Sequence, residues 1–486
     1  MNTHVSLGVP GAVPAGQPLS VTSPYDGSLL ATVDVVDEDG VGQALQNAFA
    51  AFDDRRQWLS AARRIGILEK TASLMEQHFN ELVTLAAREG GKPLMDSRVE
   101  VLRAIDGVKN CIECIRTGHG TEIPMQLNAA SANRLAFTRR EPIGVVVAFS
   151  AFNHPLNLIV HQVGPAVASG CPVIIKPAED TPLSAFRFVE LLREAGLPES
   201  WCQPLLTTGH PVSAGLAADR RVAFFSFIGS ARVGWMLRSQ LAPGTRCALE
   251  HGGVAPVVIT ADADLDDVLP LLAKGGFYHA GQVCVSVQRV FAHASIAQEV
   301  AARLAEIGGR YRAGDPLDEN TEIGPLIRHQ ETDRIESWVN EAVEGGAVLV
   351  GGGRRQGEAF FEATVLHNPP PDAKVSRNEI FGPVICVYDW RELDAAIEMA
   401  NDVPYAFQAS VCTRDIDTAL YVSSNLQASA VMVNDHTAFR VDWMPFAGLK
   451  ESGYGVGGIP YTYRDMQIEK LTVIRSKSVN ASFPSI

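Results

Sequence analysis

The sequence predicts an α/β protein built on two buried parallel sheets. Two observations carry this. After residue 140 short, continuous apolar runs alternate with helical stretches, and after Pro256 the alternation restarts and continues to about residue 430. A third sets the scale: 486 residues suffice for two or three domains of roughly 100–200 residues each.

Taken in order, Met1 to Pro18 is rich in Gly, Ala and Pro, without a basic stretch or a continuous apolar core, and reads as a loose arm rather than a signal peptide. Ile65, Leu68, Ala72, Met75, Phe79 and Leu82 recur at helical spacing and form one apolar face, ended by Gly90-Gly91. Val101 to Ile115 reads as a helix. It carries Cys111 and Cys114, a CxxC with no second pair to complete a zinc set, so packing is the expected role. Ala129 to Pro142 is polar and weakly alternating, as in a projecting hairpin. Gly144 to Phe149 and Val173 to Ile175 are buried strands, followed by a helix over Leu183 to Ala195. Val222 to Ile228 is a strand that enters a helix through Gly229-Ser230. The boundary between the two sheets falls near Gly252-Gly253. Beyond it lie a strand at Val257 to Ile259 and a helix at Leu265 to Lys274. Gly453-Tyr454-Gly455-Val456-Gly457 has no strand–helix frame and reads as a loop.

Charge and cysteine content narrow the function. A net charge of −14 argues against binding a nucleic-acid backbone. Eight irregularly spaced cysteines suit free thiols in a reducing compartment, and no run is long and apolar enough for a membrane span, which together point to the cytoplasm. No metal site is expected.

Four places carry chemistry. Cys284, in Gly281-Gln282-Val283-Cys284, is a candidate nucleophile, because a thiol can form a thioester that splits one difficult oxidation into two easier steps. Glu250, in Leu249-Glu250-His251-Gly252-Gly253, is a candidate base for the water that releases the acid. Lys176 and Glu179 stand at the carboxyl end of a predicted strand, where open α/β sheets bind ligands. The lysine can donate to ribose or phosphate oxygens. The glutamate can accept from both ribose hydroxyls, which favours NAD over its 2′-phosphorylated form. Gly229-Ser230 starts a helix whose first free N–H groups make an anion site, although the spacing fits neither GxGxxG nor a P-loop.

Together these pieces resemble the aldehyde dehydrogenase superfamily. The landmarks run in its order: Pro142-Ile143-Gly144-Val145, Phe152-Asn153-His154-Pro155, Lys176-Pro177-Ala178-Glu179, Phe227-Ile228-Gly229-Ser230, Glu250-His251-Gly252-Gly253, Gly281-Gln282-Val283-Cys284, Glu379-Ile380-Phe381-Gly382-Pro383 and Pro445-Phe446-Ala447-Gly448. The resemblance implies that Cys284 is the nucleophile, Glu250 the general base and Asn153 the amide that binds the oxyanion with the Cys284 backbone N–H. It implies that Lys176 and Glu179 contact the adenine-side ribose and Ser230, after Gly229, the pyrophosphate. Glu379 would hold the nicotinamide ribose, with Phe381 beside it. It further implies a Rossmann-like cofactor domain (1–122 and 143–252), an α/β catalytic domain (253–440), a substrate-entry loop returning to the cofactor domain (441–463) and an oligomerisation hairpin with its strand (123–142 and 464–486). The strand Lys470 to Ser476 would join that hairpin across a dimer. The implied reaction is NAD-dependent oxidation of an aldehyde to a carboxylic acid, with NADP as a possible cofactor, in a homodimer or homotetramer.

Transfer of the acyl group to coenzyme A is the alternative within the superfamily, and the glutamate at 250 argues for hydrolysis. A thiol esterase without a redox cycle would have no use for Lys176, Glu179 and Glu379. Departures from the pattern bear on the substrate. His154 stands where most relatives have an aromatic or apolar residue. Phe-Asn-His-Pro and Arg103 match relatives that oxidise phosphono-aldehydes, but those carry an arginine directly before the nucleophile, where this chain has Val283. A dianion would lose a bidentate partner there. Arg103, His154 and Arg440 are therefore expected to form a polar mouth for a small polar or anionic aldehyde. His251 and Val456-Gly457-Gly458 are further departures.

Overall fold

The computed structural model describes residues 3–479, so the ends of the N-terminal arm and of the 464–486 segment lie outside the described residues. Two large sheets organise the chain. The first has the order Gly453–Tyr454, Arg246–Glu250, Val222–Ile228, Val145–Phe149, Val173–Lys176, Cys202–Pro204, and all but the first pairing are parallel. Val145–Phe149 lies between Val173–Lys176 and Val222–Ile228, so the chain winds outward from it in both directions. This is the switch point of the sheet, beyond whose carboxyl end a ligand crevice opens. The second sheet has the order Val348–Gly351, Thr364–His367, Val384–Trp390, Arg289–His293, Pro256–Ile259, Gln408–Cys412, Ala430–Val433, antiparallel only at its first edge.

The helix Asn157–Ser169 is buried along its whole length, which its almost entirely apolar sequence allows. Its amino end has no cap of its own. Glu100 supplies one, accepting from the N–H of Leu156 (2.9 Å) and Asn157 (3.0 Å), and the buried carboxylate is paired with Lys92. Breaking such a buried pair costs about 3–5 kcal/mol, so the Lys92–Glu100 pair fixes where this helix begins and where Asn153 stands before it. Glu89 does the same for the helix Leu183–Glu194, accepting from Leu183 (2.7 Å) and Ser184 (2.8 Å).

Four readings of the sequence are corrected. The first apolar helical face belongs to two helices, Ala61–Gln77 and Phe79–Gly90, broken at His78. The periodicity runs on because both helices pack on Leu94–Thr117 and Leu183–Glu194. The N-terminal arm is tied down: Thr3–Val5 pairs with Leu29–Val33, and Val9 is buried. Gly453–Tyr454 is a short edge strand on Arg246–Glu250, with Glu250 opposite Gly453. The C-terminal strand, expected over Lys470 to Ser476, runs over Gln467–Arg475 and pairs antiparallel with Arg134–Pro142 of its own chain. Glu122–Ile123 completes that small sheet. Cys111 and Cys114 are free and buried, and burial pushes the Cys114 thiol up to about 11. No described helix is long and apolar enough to cross a membrane.

Candidate active site

Cys284 sits on a loop forced into shape by three successive left-handed residues, His279 (φ 49°), Ala280 (φ 53°) and Gly281 (φ 68°). Gln282 holds that loop from within. Its side-chain amide donates to the carbonyls of His279 and Pro325 (3.3 Å each), and its oxygen accepts from Ile327 N–H (3.0 Å). The Asn153 amide donates to the Gln282 carbonyl at 2.9 Å. One of its two N–H bonds is spent on orientation, and the other remains for an oxyanion. The crevice at the switch point of the first sheet and the Cys284 loop of the second unit therefore meet at Asn153.

Burial pushes the Cys284 thiol up to about 12. Arg440 opposes this, and the Glu379 and Glu250 carboxylates add to it. Cys284 at rest is thus a neutral thiol, which must lose its proton before the sulfur can attack. Glu250 ends its strand at the same crevice. Burial raises its carboxyl above the usual range, with Arg440 alone acting against that rise. Its carboxylate packs against Gly457, where a Cβ would stand 2.0 Å from Oε1. That accounts for the glycine at 457 in the departure Val456-Gly457-Gly458: it makes room for the Glu250 carboxylate.

The cofactor candidates flank the same crevice. Lys176 Nζ lies 3.2 Å from Glu179 Oε1 at the end of its strand. Ser230 precedes the helix Ala231–Arg238, and its side chain caps none of the first-turn amides, which leaves that end for an anion. Gly229 is clamped on both sides: its N–H donates to the Glu250 carbonyl (3.0 Å) and its own carbonyl accepts from His251 Nδ1 (2.8 Å). This is the reason for a histidine at 251, where its ring also meets Phe227 and Trp235. Glu379 lies against Gly252, with 1.6 Å between its Oε1 and the place a Cβ would take. Burial pushes it up to about 8, against a bond from Gly253 N–H. Its Oε1 has no partner, as suits an acceptor for ribose hydroxyls. Phe381 (φ 49°) meets Phe152 edge-on at 5.7 Å, joining the Glu379 loop to the Asn153 loop. Lys176, the free helix end at Ser230 and the unpartnered Glu379 oxygen together fit a dinucleotide.

The three substrate candidates lie in one region but differ in state. Arg103 is engaged by Asp442, through Nη2–Oδ1 at 2.7 Å and Nε–Oδ2 at 3.2 Å. His154 sits edge-on to His279, and burial, with Lys92 and His279 next, holds it well below the usual imidazole value, hence neutral. Arg440 stacks on Phe446 at 3.5 Å and donates to His161 Nδ1 at 3.2 Å. Sequence reasoning missed Asp442, His161, Gln282 and Glu100. A signal existed for one of them. Asn157 and His161 are polar residues one turn apart in a mostly apolar buried helix, and both reach Asp442.

Comparison with known proteins agrees with this architecture. A model of the aldehyde dehydrogenase family matches residues 13–471. A 3-sulfolactaldehyde dehydrogenase of Priestia aryabhattai is 38% identical over 456 residues, covering 94% of each chain. Among solved structures, aldehyde dehydrogenase 21 of Physcomitrella patens, in complex with its reaction product succinate, superposes with a TM-score of 0.94 at 32% identity, covering 98% of this chain and 99% of its own. A glyceraldehyde-3-phosphate dehydrogenase, GapN, of Methanocaldococcus jannaschii complexed with NADP gives 0.90 at 32%, covering 95% and 100%. The chain belongs to the aldehyde dehydrogenase family. It is an oxidoreductase that uses NAD(P) to oxidise an aldehyde to the carboxylic acid.

Proposed function

We propose that the chain oxidises a small aldehyde bearing a polar or anionic group, with Cys284 as nucleophile, Glu250 as base and Arg440 as the contact for that group. The observation that carries this is the place of Arg440. It is a partly buried guanidinium with an unpartnered Nε, and it is close enough to both Cys284 and Glu250 to lower their pKa values. The 3-sulfolactaldehyde dehydrogenase among the relatives acts, by its name, on an aldehyde of this kind. The Cys284 sulfur, its proton lost to solvent, attacks the carbonyl and sends negative charge onto oxygen, where Asn153 Nδ2 and the Cys284 N–H receive it. Loss of one such donor costs about 10²–10³ in rate. When bound, the nicotinamide supplies the hydride acceptor that turns the cysteine adduct into a thioester. Glu250 then takes a proton from water, which attacks the thioester and frees the acid.

Arg440→Gln is expected to lower kcat/KM for anionic aldehydes by about a hundredfold, and to affect uncharged aldehydes of equal length much less. Equal losses on both would remove Arg440 from substrate recognition.

The cofactor unit is the six-stranded sheet with its helices, and the seven-stranded sheet is the catalytic unit. Lys176 and Glu179 hold the adenine-side ribose, Gly229 and Ser230 the pyrophosphate, and Glu379, beside Phe381, the nicotinamide ribose. A carboxylate at 179 repels a 2′-phosphate, so NAD is the preferred cofactor. Glu179→Gln should narrow the NAD over NADP ratio of kcat/KM by about tenfold. An unchanged ratio would place selectivity elsewhere. The strand Gln467–Arg475 presents Leu471, Val473 and Ile474 to the outside at the edge of its sheet, which supports assembly into a homodimer or homotetramer. The free thiols suit the cytoplasm.

A further inference from the structure

Asp442 is the junction of a polar chain that runs beneath the substrate region. Arg103 binds it through both carboxylate oxygens, His161 Nε2 lies 2.7 Å from Oδ1, and Asn157 donates from 3.3 Å. The opposite ring nitrogen of His161 lies 3.2 Å from Arg440 Nη2. A guanidinium only donates, so His161 Nδ1 is an acceptor and the ring proton sits on Nε2, pointing at Asp442. The ring is therefore neutral. Burial, joined by the charge of Arg440, agrees with this and pushes its pKa down to about 4. Burial alone would raise Asp442, but His161 and Arg103 outweigh it and hold the carboxylate ionised.

The cations of this region then pair off. Arg103 is cancelled by Asp442, and Lys92 is cancelled by Glu100. His154 and His161 are neutral. Arg440 remains, and no ion pair joins it to a carboxylate among the described residues. Glu250, Asp442 and Cys284 are the acidic groups that act on it without pairing with it. One guanidinium can meet one anionic head through paired hydrogen bonds. A second negative charge on that head would lose its water without gaining a partner.

We propose that Asp442 is a specificity-determining residue: by claiming Arg103 and, through His161, aiming Arg440, it leaves Arg440 as the one guanidinium of this region without a carboxylate partner and selects aldehydes that carry a single negative charge over dianions. This rests on the reading of Arg440 as the contact for the substrate's anionic group.

The test compares two-carbon aldehydes that carry a sulfonate or a phosphonate on the second carbon. They share a skeleton and a tetrahedral head, and in buffer alkaline enough to remove the second proton of the phosphonate they carry one and two negative charges. The wild-type protein should favour the sulfonate in kcat/KM. Asp442→Asn keeps the size and two acceptor lone pairs but frees the charge of Arg103, and should move the ratio toward the phosphonate by about tenfold or more. An unmoved ratio, in protein that melts as wild type does, overturns the proposal, as does a wild-type preference for the phosphonate. If Asp442→Asn fails to fold, Arg103→Gln decides. It leaves Asp442 unopposed, and the sulfonate should lose about tenfold or more relative to propanal. No relative loss overturns the proposal. Arg440→Gln separates the two levels: if it spares anionic aldehydes the recognition reading fails, whereas an effect there with an unmoved Asp442→Asn ratio sinks only the role of Asp442.

Discussion

Cys284→Ala is expected to lower aldehyde-dependent cofactor reduction on the order of 10⁴-fold or more, while cofactor binding survives. The size of the effect follows from the role proposed for the sulfur, which is to bond the carbonyl carbon. Cys284→Ser should fare little better. Burial already pushes the thiol up to about 12, with only Arg440 pulling strongly the other way, and an alcohol in the same place would be far harder to ionise. Reduced-nicotinamide absorbance at saturating aldehyde checks this directly. Turnover within about tenfold of wild type in Cys284→Ala would move the nucleophile elsewhere.

Glu250→Gln is expected to separate the two halves of the reaction. The amide keeps the shape that packs against Gly457, so the adduct should form and be oxidised once. The thioester should then persist for want of a base. Rapid mixing should show one burst of reduced cofactor per active site, then a steady state lowered about 10²–10⁴-fold. The acid limb of wild-type activity has a matching sign. Only the carboxylate can activate water, and burial raises the pKa of Glu250. As pH falls, release of acid should fail at a pH above the ordinary carboxylate value of about 4.3. An acid limb at or below that value would contradict the burial argument.

Much of this site was legible in the chain because its parts are local. Strand ends such as Val173–Lys176 and Val222–Ile228 announce themselves by apolar runs, and Cys284, Glu250 and Asn153 each sit in a short, ordered motif. Partnerships between distant segments were not legible. Nothing in the spacing says that Arg103 would be claimed by Asp442, or that His161 would bridge Asp442 to Arg440, because those contacts join separate elements. The break at His78 was hidden for a related reason: apolar periodicity records which face is buried and not whether one helix or two bury it. His251 and Gly457 looked like arbitrary departures until their neighbours were in view. One fixes the Gly229 carbonyl, and the other yields its Cβ volume to Glu250.

The central claim is a covalent acyl intermediate on Cys284 that only Glu250 releases. The most direct measurement is mass spectrometry of Glu250→Gln, quenched after one burst with cofactor and a small anionic aldehyde. The expected result is one acyl group per chain, on the peptide containing Cys284, matched by one equivalent of reduced cofactor. Reduced cofactor with no adduct, or an adduct on another residue, would contradict the account.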